Sequence, residues 1–277
     1  MKISGKTALV PGASRPIGRA IARKLAEEGV KLILPTFDWP ESITEMEAEF
    51  NLAEFPFLSM SVDLRSEKGV RELLKKGRNR FGAIHILVNN IERGGMPVVH
   101  GSYDLPHNQK QWDLEISTSL KAKWLLFHHC LPLMKSAGEG AVVNISSVSG
   151  ILGRSGATAP FYNDAYSAAN RAISSFTETW AREASPTIRV NELMLGLIRN
   201  RHGEGTRGWG ELTEKEKMNV AEQCLLERTG TAEEVATATL FLIKDADYMT
   251  GTVLRMDGGV TLGSQKVPPM PTGILEE

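Results

Sequence analysis

Short apolar runs alternate with longer helical patterns along almost the whole 277-residue chain, and this rhythm constrains the fold more than any other feature. "KTALV" leads into "RPIGRAIARKLAEEG", then "KLILPTF", a polar helical stretch, "FLSMSVD", another helix and "AIHILVNN". After a loop rich in Gly, Pro and His come "WDLEISTSLKAKWLLFHHCLPLMK", "GAVVNISSV", a helix opened by Tyr166, "IRVNELML" and "TGTVLRMDGG". Strand, helix and strand repeated in this way predict right-handed crossovers and a doubly wound parallel sheet covered by helices on both faces. No internal repeat or linker interrupts it, so residues 1–277 read as a single α/β domain.

Two regions break the pattern. Residues 199–227 are polar and Gly-rich before turning helical, as a flap over a site would be. Residues 260–277, "VTLGSQKVPPMPTGILEE", are Pro-rich and read as an extended tail, either a frayed end or an arm laid on a neighbouring subunit.

Charge excludes some partners. The 32 Lys and Arg nearly balance the 33 Asp and Glu, and no basic block marks a phosphate-backbone footprint, so nucleic acid is not expected as a partner. No run approaches the roughly 20 apolar residues of a membrane span, and "MKISGKTALV" lacks the apolar stretch of a signal peptide. The only cysteines, Cys130 and Cys224, form no CxxC pair, which fits a reducing cytoplasm and offers neither a disulfide framework nor a zinc site. "FHHC" does not suggest a metal, because adjacent helical residues point about 100° apart and His128, His129 and Cys130 would not converge.

The stretch "ALVPGASRPIGRAIA" lies between the first strand and first helix, where a dinucleotide-binding loop belongs. Gly12 and Gly18 allow a tight turn and close backbone approach to a pyrophosphate, with Ser14, Arg15 and Ile17 in the same loop and helix N-terminus. Pro11 and Pro16 stand where a hydroxyl residue and a glycine would serve better. Pro16 suits the first helical position but removes one N–H donor. At the end of the second strand, Thr36 and Phe37 carry no charge and Asp38 comes late, so Arg15 tips the expected cofactor towards NADP rather than NAD.

These motifs resemble those of the short-chain dehydrogenase/reductase family over nearly the whole chain, and the resemblance implies a Rossmann fold. "SVDLRS" places Asp63 where similar proteins meet the adenine ring, "HILVNN" supplies Asn89 and Asn90, and "VVNISSVSG" and "AYSAANRAISSFTETWARE" are similar to the serine strand and tyrosine helix. The resemblance implies reversible hydride transfer between NAD(P)(H) and a small carbonyl or alcohol. In that scheme Ser147 polarises the substrate oxygen, Tyr166 passes the proton, a lysine lowers the tyrosine's pKa and holds the ribose, and an asparagine anchors a water relay. Here the lysine position is Asn170 and the asparagine position is Ser119. The family's "NNAG" is "NNIE", its "PG" is Leu195 and Gly196, and Asn200 stands at the threonine position. The family also implies a homo-oligomer, a tetramer or dimer, paired through the helices containing Tyr166 and Trp124.

The missing cation has a calculable cost. A free tyrosine ionises near pH 10, and a cation about 5 Å away stabilises the phenolate by roughly 3 kcal/mol at an effective dielectric near 20, about two pKa units. Arg171 is turned about 140° from the tyrosine's face and is a poor substitute; Lys123, four residues after Ser119 and so on one helical face with it, is the other candidate, against the commoner fate of a lysine in solvent or at a subunit interface. Tyr162 reads as a packing residue, and His100 and His107 as candidates at the site rim. The leading expectation is therefore an oxidoreductase with an incomplete catalytic set. The alternatives are a non-redox lyase, hydratase or dehalogenase-like enzyme on the same scaffold, or a ligand-binding protein that has lost the chemistry.

Overall fold

The computed structural model describes residues 1–93, 101–102, 104–155, 159, 162–199, 209–265 and 267–273. Seven strands form one parallel sheet: β1 (Thr7–Leu9), β2 (Lys31–Thr36), β3 (Phe57–Ser61), β4 (Ile86–Asn89), β5 (Gly140–Ser147), β6 (Ile188–Leu195) and β7 (Val253–Met256). Their order across the sheet is β3-β2-β1-β4-β5-β6-β7, so the winding reverses between β1 and β4. A crevice opens at such a reversal, beyond the carboxyl ends of the strands, and that is where ligands bind sheets of this kind.

Alternate residues of each strand feed the two faces. Ala8, Val10, Leu32, Leu34, Ile86 and Val88 pack with α1 (Pro16–Glu27), α2 (Pro40–Leu52) and the last helix. Leu9, Ile33, Leu87, Val142 and Val190 point the other way, against α3 (Glu67–Phe81) and the long helices described next. On α1, Ile17, Ile21 and Leu25 form one buried stripe, each contributing roughly 1.5–3 kcal/mol through burial.

The helical run after β4 comprises α4 (Pro106–Glu115), a π-helical turn over Ile116–Lys121, and α5 (Ala122–Ala137). Composition does not distinguish a π turn from an α turn, so the sequence pattern reads this run as one continuous helix. A single turn, α6 (Ser149–Leu152), leads to α7 (Asp164–Ala184), whose N-cap Asn163 accepts a hydrogen bond from the Tyr166 N–H at 2.6 Å. Phe127 of α5 stacks on Trp180 of α7 with ring centroids 4.2 Å apart. Then come α8 (Glu214–Glu222) and α9 (Ala232–Lys244), the latter opened by a capping box between Thr231 and Glu234.

Candidate active site

The glycine loop is shaped by excluded volume. Gly12 has φ +75°, and a Cβ there would lie 2.4 Å from the Asn90 carbonyl oxygen; a Cβ on Gly18 would lie 2.2 Å from the Gly12 carbonyl oxygen. No side chain fits at either position, because backbone from β1, α1 and the end of β4 meets there. The Arg15 N–H closes the turn onto the Gly12 carbonyl at 3.1 Å, and the Arg19 N–H bonds the Arg15 carbonyl at 2.8 Å. Pro16 has no N–H, so the first turn of α1 offers the Ile17 and Gly18 N–H groups to an anion. Ser14 is buried, and its carbonyl accepts from Arg19 at 3.0 Å; Arg19 also reaches the Ser42 carbonyl and so ties the loop to α2.

One arginine of the loop and one that follows β3 lie over two aromatic rings that follow β2. The Arg15 guanidinium lies 4.4 Å over Trp39, which adopts a left-handed φ of 69°, and Arg65 lies 5.4 Å from the Phe37 ring. Asp63 is engaged by Arg65 through two side-chain bonds of 2.8 and 2.7 Å, which hold its carboxyl below the usual range. Burial and the neighbouring Arg19 lower the Arg15 pKa. Asn89 points into the sheet, donating to Asn144 at 2.9 Å, and Asn144 donates to Thr177 of α7 at 2.9 Å. This chain locks the end of β4 to the tyrosine helix. Gly196 is fixed by the approach of β7, since a Cβ would lie 2.5 Å from the Asp257 Cα.

At the other end of the crevice, Tyr166 is 2% exposed and its hydroxyl donates to Glu92 Oε2 at 3.1 Å. The sequence marks Glu92 only as a departure from a small residue; its pairing with a tyrosine 74 residues away carries no local signal. Asn170 spends its amide N–H on the Tyr166 carbonyl at 2.9 Å, and its Oδ1 is buried with no hydrogen-bond partner among the described residues. Ser119 lies in the π turn, donates to the buried Glu115 carboxylate and accepts from the Arg93 N–H at 3.0 Å. It therefore ties the "NNIE" loop to the helix. Ser147 ends β5, fully buried, with its Oγ accepting from the Ser149 N–H at 3.2 Å.

Tyr162 is also buried, its ring stacked on Tyr166 at 5.9 Å. The two rings share an apolar cluster with Val148, Met194, Leu197, Leu212, Cys224 and Val260. Residues from the 199–227 segment and from the start of the tail thus close over the tyrosines; Asn200, residues 201–208 and His100 lie outside the described residues. His107 is exposed on α4.

Lys123, weighed as a substitute cation, is buried at 1% exposure, its Nζ donating to the Ile145 carbonyl of β5 at 2.6 Å. Its charge acts instead on Glu192 of β6, whose pKa is raised by burial and partly restrained by Ser146, Ser174 and Lys123. Arg171 is exposed on the outer side of α7.

Among the described residues, no helix is long and apolar enough to cross a membrane, and no cluster of His, Cys, Asp or Glu is placed to hold a metal. The family signature described as enoyl-(acyl carrier protein) reductase matches residues 12–261. The chain is 30% identical over 266 residues to a 3-oxoacyl-(acyl-carrier-protein) reductase of Thermotoga maritima, covering 95% of this chain and 100% of that relative. It is 33% identical to a 1,6-dihydroxycyclohexa-2,4-diene-1-carboxylate dehydrogenase of Pseudomonas putida, covering 97% of each. A crystal structure of a proposed short-chain alcohol dehydrogenase from Sinorhizobium meliloti superposes with a TM-score of 0.81 at 27% identity, covering 95% of this chain and 98% of that one.

Proposed function

This chain belongs to the short-chain dehydrogenase/reductase family, and from that premise we propose that it is an NAD(P)(H)-dependent oxidoreductase acting on a small carbonyl or alcohol. The observation that carries the reading is the junction of Gly12, Gly18 and Asn90, which brings backbone to the mouth of α1 with no side chain in the way. The residues fit an adenine dinucleotide. The Ile17 and Gly18 N–H groups face a pyrophosphate, and Arg15 on Trp39, with Arg65 on Phe37, supplies positive charge and flat surfaces at the adenosine end. Two cations there favour the 2′-phosphate of NADP(H) over the free hydroxyl of NAD(H).

Bound in the crevice, the nicotinamide supplies or accepts a hydride. Ser147 and Tyr166 then orient and protonate the substrate oxygen, Asn170 holds the Tyr166 backbone, and Ser119 fixes the adjoining loop. The apolar lid of Leu212, Cys224 and Val260 suits a compact organic substrate. Assembly as a homodimer or homotetramer and a cytoplasmic location belong to the same proposal; the exposed Trp124 on α5 supports the former, and two unbridged cysteines the latter.

The test is a fluorescence titration with NADPH and NADH separately. Micromolar binding of NADPH, weakened at least about tenfold in Arg15→Ala while NADH binding changes little, is the expected result. No binding of either at millimolar concentration would remove the oxidoreductase reading.

A further inference from the structure

We infer that Glu92 is the proton partner of Tyr166, so that a phenol backed by a carboxylate performs the proton transfer that a phenol beside a cation would otherwise perform. This rests on the oxidoreductase reading and deepens it. Both partners are held. Tyr166 is fixed by the Asn163 cap on its N–H, by Asn170 on its carbonyl and by Tyr162 against its ring. Glu92 lies between the anchored end of β4, where Asn89 is bonded into the sheet, and Arg93, whose N–H is tied to Ser119.

A neighbouring cation makes the phenolate cheaper to form; a carboxylate makes it more costly. What Glu92 offers in exchange is a place for the proton. The structure shows the oxidising arrangement, with the Tyr166 O–H donating to the Glu92 carboxylate. As the proton of the substrate hydroxyl passes to the phenol oxygen, the Tyr166 O–H proton passes to Glu92, which releases it to solvent; a bound NAD(P)⁺ would take the hydride, so alcohol and NAD(P)⁺ would give carbonyl, NAD(P)H and one proton. Reduction would run the same transfers backwards, with solvent returning the proton through Glu92. No free phenolate forms in either direction, so the chemistry does not need the cation that Asn170 fails to provide.

Among the described residues, the charged and titratable groups near the pair include Arg93 in the same loop, Glu115 behind Ser119, Tyr162 on the Tyr166 ring, and Cys224 in the apolar cluster, whose thiol is pushed up by burial and by Asp257. Lys123 donates to the Ile145 carbonyl of β5.

Two readouts on the full chain test the inference. The first is the ultraviolet titration of Tyr166, taken as the difference between wild type and Tyr166→Phe, and repeated in the Glu92→Gln background. Glu92→Gln is expected to let Tyr166 ionise at least about one pH unit lower; identical titrations would overturn the pairing. The second is NADPH-dependent reduction of a panel of small cyclic ketones across pH. Turnover in Glu92→Gln is expected to fall about a hundredfold near neutrality, with NADPH affinity within about threefold and partial rescue by Glu92→Asp. Unchanged turnover in Glu92→Gln would overturn the catalytic role. Absence of both NADPH and NADH binding in wild type would remove the oxidoreductase reading instead, and the tyrosine titration would still decide the pairing.

Discussion

The two ends of the crevice obey different physics. Around the glycine loop the constraint is space: Gly12, Gly18 and Asn90 bring three stretches of backbone so close that one added carbon collides with a carbonyl oxygen. Around Tyr166 the constraint is charge, and there the framework and the electrostatics have come apart. The Asn163 cap, the bond from Asn170 and the π turn at Ser119 place the phenol and its neighbours firmly. The cation expected one helical turn from the tyrosine is replaced by an amide, and a carboxylate arrives from the end of β4. Backbone collisions cannot be relieved by changing a distant residue, whereas a charge can be delivered by any element that reaches the site.

That contrast breaks first if Gly18→Val is tolerated. Its Cβ would lie 2.2 Å from the Gly12 carbonyl oxygen, so a loss of about 3 kcal/mol in stability is expected, together with loss of NADPH binding, read from denaturant melts and the fluorescence titration. Lys123→Met asks whether charge is also structural, away from the tyrosine. Removing the buried ammonium leaves Glu192 without its counter-charge and should cost roughly 3 kcal/mol, with part of the loss recovered when Glu192→Gln is added.

Asn170→Lys restores a cation beside Tyr166 and should lower its ionisation by about two pH units, read by ultraviolet titration, while raising cofactor-dependent turnover. A smaller effect of this substitution on turnover than that of Glu92→Gln would sharpen the contrast, because it would show that the delivered carboxylate, rather than the missing cation, governs the site.

The smallest effect is expected outside both ends. Glu234 in the capping box of α9 is held down to about 2 by its bonds to Arg228 and to the Thr231 N–H. A depressed carboxyl adds stability that is fully present above its unfolded pKa of about 4.3 and lost as pH falls through the folded value. Glu234→Ala should therefore cost about 0.5–1 kcal/mol at pH near 7, the gap narrowing as the melt is taken towards pH of about 3, with no change in NADPH affinity.

The sequence makes the spatial end far more legible than the charged one. A glycine between a strand and a helix signals a position where only backbone fits, and Gly12 and Gly18 lie where that logic places them. Strand alternation likewise predicts the seven-stranded sheet, because each apolar run must fill two faces. Glu92 is silent, because its partner is 74 residues along the chain and nothing in "NNIE" points towards a phenol. Lys123 is equally silent, because the carbonyl its ammonium meets, that of Ile145, lies 22 residues along the chain on another element. Asp63 is expected at an adenine ring by resemblance alone, and the sequence reading does not single out Arg65, two residues on, which bonds both of its oxygens in the structure.

The meeting of Gly12 with Asn90 also bears on the order in which the molecule assembles. The loop is made early in synthesis, yet one wall of it is backbone that emerges 78 residues later, and the cover over Tyr166 awaits Val260. A nascent chain containing only β1, β2 and β3 has the glycines but not the surface they fit against, so nucleotide binding cannot guide its early folding. The ligand can stabilise only a chain whose two halves have already docked, and it acts as a late lock on a nearly finished molecule.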